Sequence, residues 1–324
     1  MVGYLAPEPG EALHPANGAP RISVGIPAYQ AAPTIGRALA SIFRQTLLPH
    51  EVIVCDDGST DDLDAALAPY RHRITLIRKP NGGCGSAKNA SGRAATGDYV
   101  AWLDADDEWL PTRLERLSQV LTVRPDLDIL TTDAFVEVQG KGVIRRFWQS
   151  EFPTTDQDRV ILRRDFLTFS VVRRSSWMEA GGFDETVAVG EDYDCWVRLI
   201  LAGNVAGLVP EPLYWYRIHG GNLSMQRSRM LRGIYRALCK ALESSALDAE
   251  QHRIVRERMA KLEDLIEAAD AREALLSADK GSTKRVWQAA LRPGLSQRSR
   301  VAFAAAAALP PVARWYDRRF VRVG

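Results

Sequence analysis

The stretch AWLDADDEW, residues 101–109, places four acidic side chains directly after a run of apolar residues. Asp104 and Asp106 are one residue apart, so they can share a divalent cation, or one can bind the cation while the other binds a sugar hydroxyl. Mg²⁺ and Mn²⁺ prefer oxygen ligands, and Mg²⁺ is usually held by one or two carboxylates together with substrate phosphates. Such a cation would act as a Lewis acid on a leaving diphosphate. The alternative is an acidic turn that caps the next helix.

Two further loops carry groups that suit a nucleotide. In CDDGSTDD, residues 55–62, the carboxylate of Asp57 lies in a tight turn and can accept from a base N–H or a ribose hydroxyl. Ser59 or Thr60 can cap the following helix. The Gly-rich stretch NGGCGSAKNAS, residues 81–91, lets a backbone approach a nucleotide, with Lys88 adding positive charge. It matches neither the P-loop nor the dinucleotide-binding pattern, so in isolation it is more typical of an ordinary loop.

Two later stretches carry a candidate base and candidate cation or phosphate ligands. GEDYDCW, residues 190–196, places Glu191, Asp192 and Asp194 at a helix start, where the helix dipole also favours acids. The functional interpretation is a general base that takes a proton from an acceptor hydroxyl, and an ordinary carboxylate is ionised at pH 7 as this requires. In YWYRIHGGNLS, residues 214–224, Arg217 is the kind of group that binds diphosphate oxygens. His219 lies beside it, although a lone histidine is more often structural.

The elements that must position these residues alternate along the first half of the chain. Apolar, β-rich segments are separated by helical patterns, which predicts an α/β fold with a mostly parallel sheet and helices on both faces. In such sheets a ligand binds off the carboxyl ends of the strands. The candidate residues follow the strands directly, so they should collect on one edge of the sheet. The predicted strands are 21–29, 51–56, 74–78, 98–103 and 128–138, and the predicted helices are 33–46, 84–97 and 111–121.

The second half changes character after about residue 160. It predicts a strand and short helix over 165–185, a helix from the acidic residues at 191 to the Gly-Asn pair at 203–204, and a strand-like segment before residue 218. Beyond Ser224 the pattern is almost entirely helical to about residue 292. We therefore expect a flexible leader over 1–20, a catalytic domain over 21–224 and a helical C-terminal extension over 225–324.

Composition excludes several classes of protein. The 324 residues are 46% hydrophobic and 25% charged, and the net charge of +2 gives no argument for a nucleic-acid partner. The four scattered cysteines argue against a zinc site or a disulfide framework and fit a reducing compartment. The start has no secretory signal, and no stretch approaches the ~18 apolar residues of a membrane span. We expect a cytoplasmic protein, either free or at the inner face of the membrane.

Taken in order, the quoted stretches resemble the family 2 glycosyltransferases, which have the GT-A, Rossmann-like fold. The resemblance runs over about residues 21–224 and includes VGIPAYQAAPTIGRALASIFRQT, EVIVCDDGSTDD, the Gly-rich stretch continued to LDADDEW, GGFDE, GEDYDCWVRL and YRIHGGNLS. It implies an inverting transfer of a sugar from a nucleotide-diphosphate sugar, with a UDP-sugar as the expected donor, to an acceptor hydroxyl. It also implies a Mn²⁺ or Mg²⁺ ion, held through the Asp-x-Asp motif.

The resemblance implies roles for named residues. Asp192 would be the catalytic base, with Glu191 beside it, and Asp106 would ligate the metal. The position of Lys88 is more often arginine in the family. The other implied contacts are Pro27, Ala28 and Tyr29 with the base, Asp57 with the base, Asp104 with the ribose, and Arg217 and His219 with the diphosphate or metal.

Two rival functions remain at this point. A sugar-1-phosphate nucleotidyltransferase uses a related sheet, but that class usually has a Gly-rich, Arg-containing loop after its first strand, where this chain has PAYQAAP. A catalytically silent nucleotide-binding protein that helps to assemble a polysaccharide complex is the other rival, and the presence of Asp106 and Asp192 argues against it. The acceptor, which could be a saccharide, a lipid-linked saccharide, a protein or a natural product, stays open.

The C-terminal third lies outside the resemblance. Its last segment, residues 300–324, joins an alanine-rich apolar stretch to aromatic and basic residues. The simpler interpretation is a helix packed on the catalytic domain followed by a disordered tail. The alternative is a peripheral contact with an anionic membrane surface, which would suit a lipid-linked acceptor. The long C-terminal helices could also pair in a homo-oligomer.

Overall fold

A mixed sheet of nine strands organises the first part of the chain in the computed structural model, which describes residues 18–147, 150–220, 222, 226–244, 247–277 and 291. The chain divides into two compact units between Asn222 and Leu223. The predicted leader lies almost wholly outside the described residues, and the last segment, residues 300–324, lies wholly outside them, so neither interpretation of that segment is tested. The helical pattern is predicted to continue to about residue 292. The part of it beyond residue 277 also lies outside the described residues, apart from residue 291.

The strands of the described sheet are β1 (Ile22–Ala28), β2 (Glu51–Asp56), β3 (Thr75–Arg78), β4 (Tyr99–Trp102), β5 (Glu108–Trp109), β6 (Ile129–Val138), β7 (Gly142–Arg146), β8 (Val171–Arg173) and β9 (Ala206–Ile218). Their order is β3-β2-β1-β4-β8-β6-β9-β5, with β7 paired to β6. The parallel pairs are β1 with β2, β2 with β3, β1 with β4, and β6 with β9. Of the described strands, only β5, β7 and β8 run against the others, which confirms the predicted mostly parallel sheet.

Helices connect most of these strands. Those of the first unit are α1 (Ile35–Phe43), α2 (Leu63–Leu67), α3 (Cys84–Ala94), α4 (Arg113–Val123), α5 (Gln157–Arg163), α6 (Arg174–Glu179) and α7 (Glu191–Leu201), with a 3₁₀ helix over Ala68–Arg73. The second unit contains α8 (Arg227–Glu243) and α9 (Ala249–Ser277), which pack against each other. None of the described helices is both long enough and apolar enough to cross a bilayer.

Alternate residues of β1 show that helices cover both faces of the sheet. Val24 and Ile26 are fully buried and share one apolar cluster with Leu39 of α1. Gly25 points the other way, where a Cβ would lie only 2.6 Å from the Oγ of Ser91 in α3. Because side chains alternate between the two faces of a strand, β1 packs against α1 on one face and against α3 on the other. The prediction of a sheet with helices on both faces is thus confirmed.

Small residues let α3 lie close to the sheet. A Cβ on Gly92 would come within 2.6 Å of the Trp177 ring, and the indole N–H of Trp102 donates to the Lys88 carbonyl at 3.1 Å. A larger residue at position 92 would therefore push α3 outward. The small-residue composition of this helix fixes where Lys88 projects at the edge of the sheet.

The predicted cap of α2 is wrong. The helix begins after Asp62, whose carboxylate accepts from the Ala65 amide, rather than after Ser59 or Thr60. The Ser59 amide instead donates to Asp56 at 2.9 Å, so this residue belongs to the turn that follows β2. The helix therefore starts two or three residues later than the sequence pattern suggested.

Candidate active site

The carboxyl ends of β1, β2 and β4 meet at one edge of the sheet, where a ligand is expected in this topology. Pro27 and Ala28 are the last two residues of β1, and Tyr29 follows them with 55% of its surface exposed. Asp57 follows β2, and its amide donates to the Ala28 carbonyl at 2.8 Å. The residues expected to line a base pocket thus lie together, while base binding itself stays a prediction.

The carboxylate of Asp57 is already engaged within the protein. It accepts from Lys79 Nζ at 2.5 Å and from the amides of Gly82 and Gly83 at 3.0 and 2.8 Å. Gly83 has a φ of +88°, a backbone conformation that favours glycine. Asp57 therefore holds the Gly-rich loop that leads into α3. If Asp57 binds the base as predicted, that contact would add to these hydrogen bonds or replace them.

Lys88 bridges the two acidic stretches. Its Nζ lies 3.0 Å from Oε1 of Glu191 and 3.8 Å from Oδ1 of Asp104. Burial opposes a charged lysine, but the charges of Cys84, Glu191 and Asp104 outweigh it and raise the pKa of Lys88 above its ordinary value. The pKa of Glu191 is lowered, since Lys88 outweighs the effect of burial there. This ion pair brings the start of α7 next to the loop after β4.

Asp192 differs from the ordinary carboxylate that the sequence led us to expect. Burial, followed by the charge of Glu191, raises the pKa of Asp192 to about 7, with Asp165 adding to the shift and Lys88 opposing it. One carboxylate oxygen accepts from the Tyr193 amide at 2.8 Å. A carboxyl group with a pKa near neutrality suits proton transfer, because the best catalytic base titrates near the working pH.

Asp106 and His219 lie in direct contact at the same edge. Oδ2 of Asp106 is 2.8 Å from Nε2 of His219, and the Asn222 amide donates to the same oxygen at 3.2 Å. Among the described residues, no three His, Cys, Asp or Glu side chains converge as a ready metal site. The sequence analysis missed Asn222, although it lies in the quoted stretch after β9.

Arg217 is held by carboxylates. Its Nη2 lies 2.7 Å from Oε1 of Glu108, and its Nη1 donates to Glu137 on β6. Glu108 also binds Arg37 of α1 at 2.9 Å. The guanidinium of Arg217 therefore fastens β9 to β5 and β6, and its predicted contact with a diphosphate stays a prediction.

The sequence analysis also missed Asp107, which is 1% exposed. It accepts from the Tyr214 hydroxyl at 3.0 Å and from the Arg217 amide at 2.8 Å. Burial and the charges of Asp104 and Asp106 raise the pKa of Asp107 well above its ordinary value. Asp107 thus anchors the acidic loop to β9 and leaves Asp104 and Asp106 at the edge.

Asn89 of α3 was missed for a different reason. Its side chain is fully buried, donates to the Phe183 carbonyl at 2.8 Å and accepts from the Phe183 amide at 2.9 Å. This pair of bonds clamps α3 to the GGFDE turn that precedes α7. The sequence signal for this role is an amide side chain in a helix of small residues. The residue that Asn89 binds lies 94 positions away, so the sequence did not indicate the contact.

Comparison with known proteins finds a family whose sequence model matches much of the part of the chain that carries this arrangement. The sequence model of the family described as Glycosyl transferase family 2 matches residues 23–177. A hyaluronan synthase from Pasteurella multocida is 31% identical over 215 residues, which cover 65% of this chain and 22% of the synthase. This chain therefore spans about a fifth of the length of that relative.

Solved structures show the same fold. TarS residues 1–349 from S. aureus, in complex with UDP-GlcNAc, gives a TM-score of 0.63 at 17% identity over 92% of each chain. The mannosyltransferase PcManGT from Pyrobaculum calidifontis, in complex with GDP-Man and Mn²⁺, gives 0.56 at 19% identity over 97% of this chain and 92% of that one. The predicted fold class is thus confirmed. The family match covers nearly all of β1 to β8 and the loops at their carboxyl ends, so this part of the chain is similar to glycosyl transferase family 2.

Proposed function

We propose that this protein transfers a sugar from a nucleotide-diphosphate sugar to an acceptor hydroxyl with inversion, using Asp192 as the general base and a divalent cation at Asp106. The acceptor oxygen attacks the anomeric carbon while the bond from that carbon to the diphosphate oxygen breaks. The electron pair of that bond leaves with the diphosphate, and the acceptor proton moves to the Asp192 carboxylate. This single displacement needs no covalent intermediate.

The observation that carries the proposal is the bridge made by Lys88. Because its Nζ contacts both Glu191 and Asp104, the residue next to the proposed base lies close to the loop proposed to bind the donor. A single displacement needs a base near the anomeric carbon and a charge-stabilising group near the leaving diphosphate. The stretch with the proposed base and the stretch proposed to bind the donor lie on either side of one lysine side chain. This is the separation that their proposed roles require.

The residues present fit a divalent cation. Asp106 offers a carboxylate oxygen and His219 a ring nitrogen, the two atoms lie 2.8 Å apart, and both side chains are partly exposed. Two protein ligands suffice when phosphate oxygens and water complete the shell. A bound Mn²⁺ or Mg²⁺ would neutralise negative charge on the diphosphate as it leaves.

A nucleotide sugar as the donor is supported by the complexes of similar folds. The TarS structure holds UDP-GlcNAc and the mannosyltransferase structure holds GDP-Man with Mn²⁺. In this chain the exposed ring of Tyr29 and the loop held by Asp57 lie at the carboxyl ends of β1 and β2, and we take them as the surface that binds the base. We favour a UDP-sugar as the donor and a saccharide hydroxyl as the acceptor.

Thermal unfolding with UDP, GDP, TDP and CDP, each with and without Mn²⁺, tests the donor site. A ligand that binds only the folded protein raises its melting temperature by mass action. We expect one nucleotide to raise it most, more strongly with Mn²⁺, and Asp106→Asn to abolish the metal-dependent part. A shift by none of the four would overturn the donor site. Binding without sugar transfer or donor hydrolysis would instead favour a silent binding protein.

A further inference from the structure

The side chain of Gln30 joins the loop that follows β1 to the turn that follows β2. Its Oε1 accepts from the backbone amides of Thr60 and Asp61 at 2.9 and 3.0 Å. Its Nε2 donates to the Thr60 hydroxyl at 3.0 Å. The acceptor and the donor of this exposed amide group are therefore both used across the gap between the two loops. We call this set of side-chain hydrogen bonds the Gln30 clamp.

The Gln30 clamp lies beside the two residues that are proposed to face the base. Gln30 directly follows Tyr29, and its backbone amide donates at 3.1 Å to Oγ of Ser59, which lies two residues after Asp57. Tyr29 and Asp57 follow neighbouring strands that pair in parallel. A movement of either loop would change the distance between these two residues, and the clamp opposes that movement.

Two features of the clamped loops cost stability. The φ of Gln30 is +52°, a conformation that is uncommon for residues other than glycine and is found more often for asparagine, aspartate and histidine. Asp61 accepts from the Ala32 amide at 2.8 Å with one oxygen, while its other oxygen is buried and has no hydrogen-bond partner in the part of the chain that the structure describes. A strained backbone and an unpaired buried oxygen both lower stability, and such features concentrate at functional segments.

We propose that Gln30 is a positioning residue for the donor, because it holds the Tyr29 loop and the Asp57 turn at the separation that a nucleotide base requires. This inference rests on the proposed function and adds a residue to its donor site. Exposed loops lose conformational freedom when they order around a ligand, and that loss lowers affinity. Loops that hydrogen bonds already hold in place lose less of it. The clamp therefore raises the affinity for the nucleotide without touching the reacting atoms.

The test is calorimetric titration with UDP, GDP, TDP and CDP, followed by variants with the nucleotide that binds most tightly. Gln30→Ala removes the side-chain hydrogen bonds of the clamp and should raise the Kd of that nucleotide about tenfold. Gln119→Ala is the matched control and should keep the wild-type Kd. Gln119 is also an exposed glutamine, but its side chain exchanges hydrogen bonds with Arg116 and Glu115 of its own helix, α4.

Gln30→Gly separates positioning from stability. Glycine adopts a positive φ without strain, so this variant should melt at a higher temperature than Gln30→Ala. It also lacks the clamp, so its Kd should be raised at least as far as that of Gln30→Ala. A role in stability alone would leave both folded variants with the wild-type Kd. The glycine variant also supplies the measurement if the alanine variant does not fold.

Thr60 tests the clamp from the opposite loop. Thr60→Val removes the hydroxyl that accepts from Nε2 of Gln30 and should raise the Kd about threefold. Thr60→Ser keeps that hydroxyl and should retain the wild-type value. Equal Kd values in these two variants would overturn the clamp.

The outcomes separate the clamp from the function on which it rests. A wild-type protein that binds none of the four nucleotides overturns the proposed donor site, and the clamp with it. A wild-type protein that binds one of them, with the same Kd in Gln30→Ala, Gln30→Gly and Gln119→Ala, overturns the clamp and leaves the proposed function standing.

Discussion

Nζ of Lys88 lies 3.0 Å from Oε1 of Glu191, and this contact fastens α3 to the first residue of α7 across 103 positions of sequence. Both residues are buried, at 9% and 6% exposure. The pair has a structural role in closing the sheet edge and an electrostatic role beside Asp192. The two roles can be separated experimentally, because one concerns stability and the other concerns the titration of Asp192.

Replacing Lys88 by methionine should destabilise the protein by about 3 kcal/mol, since removing one partner leaves Glu191 as a buried, uncompensated charge. Lys88→Arg keeps the positive charge and should cost less. Urea unfolding at pH 7 measures both changes. The double variant Lys88→Met with Glu191→Gln is the control and should recover part of the loss. If the single methionine variant is as stable as the wild type, the buried pair contributes nothing.

The pH dependence of transfer should show an acid limb near neutrality. The pKa of Asp192 is raised to about 7, and the base must be ionised, so kcat/KM for the acceptor should rise with pH through about 7. Asp165→Asn removes a negative charge that raises this pKa and should move the midpoint to lower pH. Asp158→Asn, on α5, is the control. An unchanged midpoint in Asp165→Asn would argue against Asp192 as the group observed.

Much of the fold follows from patterns that are local in sequence. Apolar runs bounded by Gly, Pro and acids marked β1, β2 and β4, because a strand buried on both faces is apolar over most of its length. The same endings located Asp57, Asp104 and Asp106, since parallel strands finish at the same edge. Helix α7 was marked by its acidic first turn.

The remaining features depend on contacts between distant residues. Nothing near Lys88 in the sequence indicates that Glu191 is its partner, and nothing near Asp57 indicates that Lys79 and two amides occupy its carboxylate. The raised pKa of Asp192 comes from burial and from the charges around it. Periodicity carries no information about such packing, so these properties were available only from the structure.

Asp192→Asn should stabilise the folded protein at pH 8 while abolishing transfer. An ordinary aspartate titrates near 3.9, so the folded state holds this proton more tightly than the unfolded chain. The resulting stability is present at low pH and is lost as the pH rises through about 7. The neutral asparagine avoids that loss and should gain up to about 4 kcal/mol at pH 8, because the shift is about three pKa units and each unit corresponds to about 1.4 kcal/mol.

The stability comparison needs two pH values. At pH 5 the folded wild type carries the proton, so the advantage of Asp192→Asn in urea unfolding should be much smaller than at pH 8. Other titrating groups affect both proteins alike and cancel in the difference. A gain of the same size at both pH values would mean that the carboxyl group of Asp192 titrates in its ordinary range.

Asp57→Asn should weaken binding of UDP, GDP and CDP by a similar factor, about tenfold, because removing the charge weakens the hydrogen bonds that hold the Gly-rich loop. Lys79→Met should have a similar but smaller effect, since it removes one of the donors to that carboxylate. Asp62→Asn is a matched control, because Asp62 caps α2 and is exposed in the same turn. Calorimetric titration measures each affinity. A loss confined to UDP would show that Asp57 reads the N–H of the base directly, as the family resemblance implies, and that its hold on the loop is secondary.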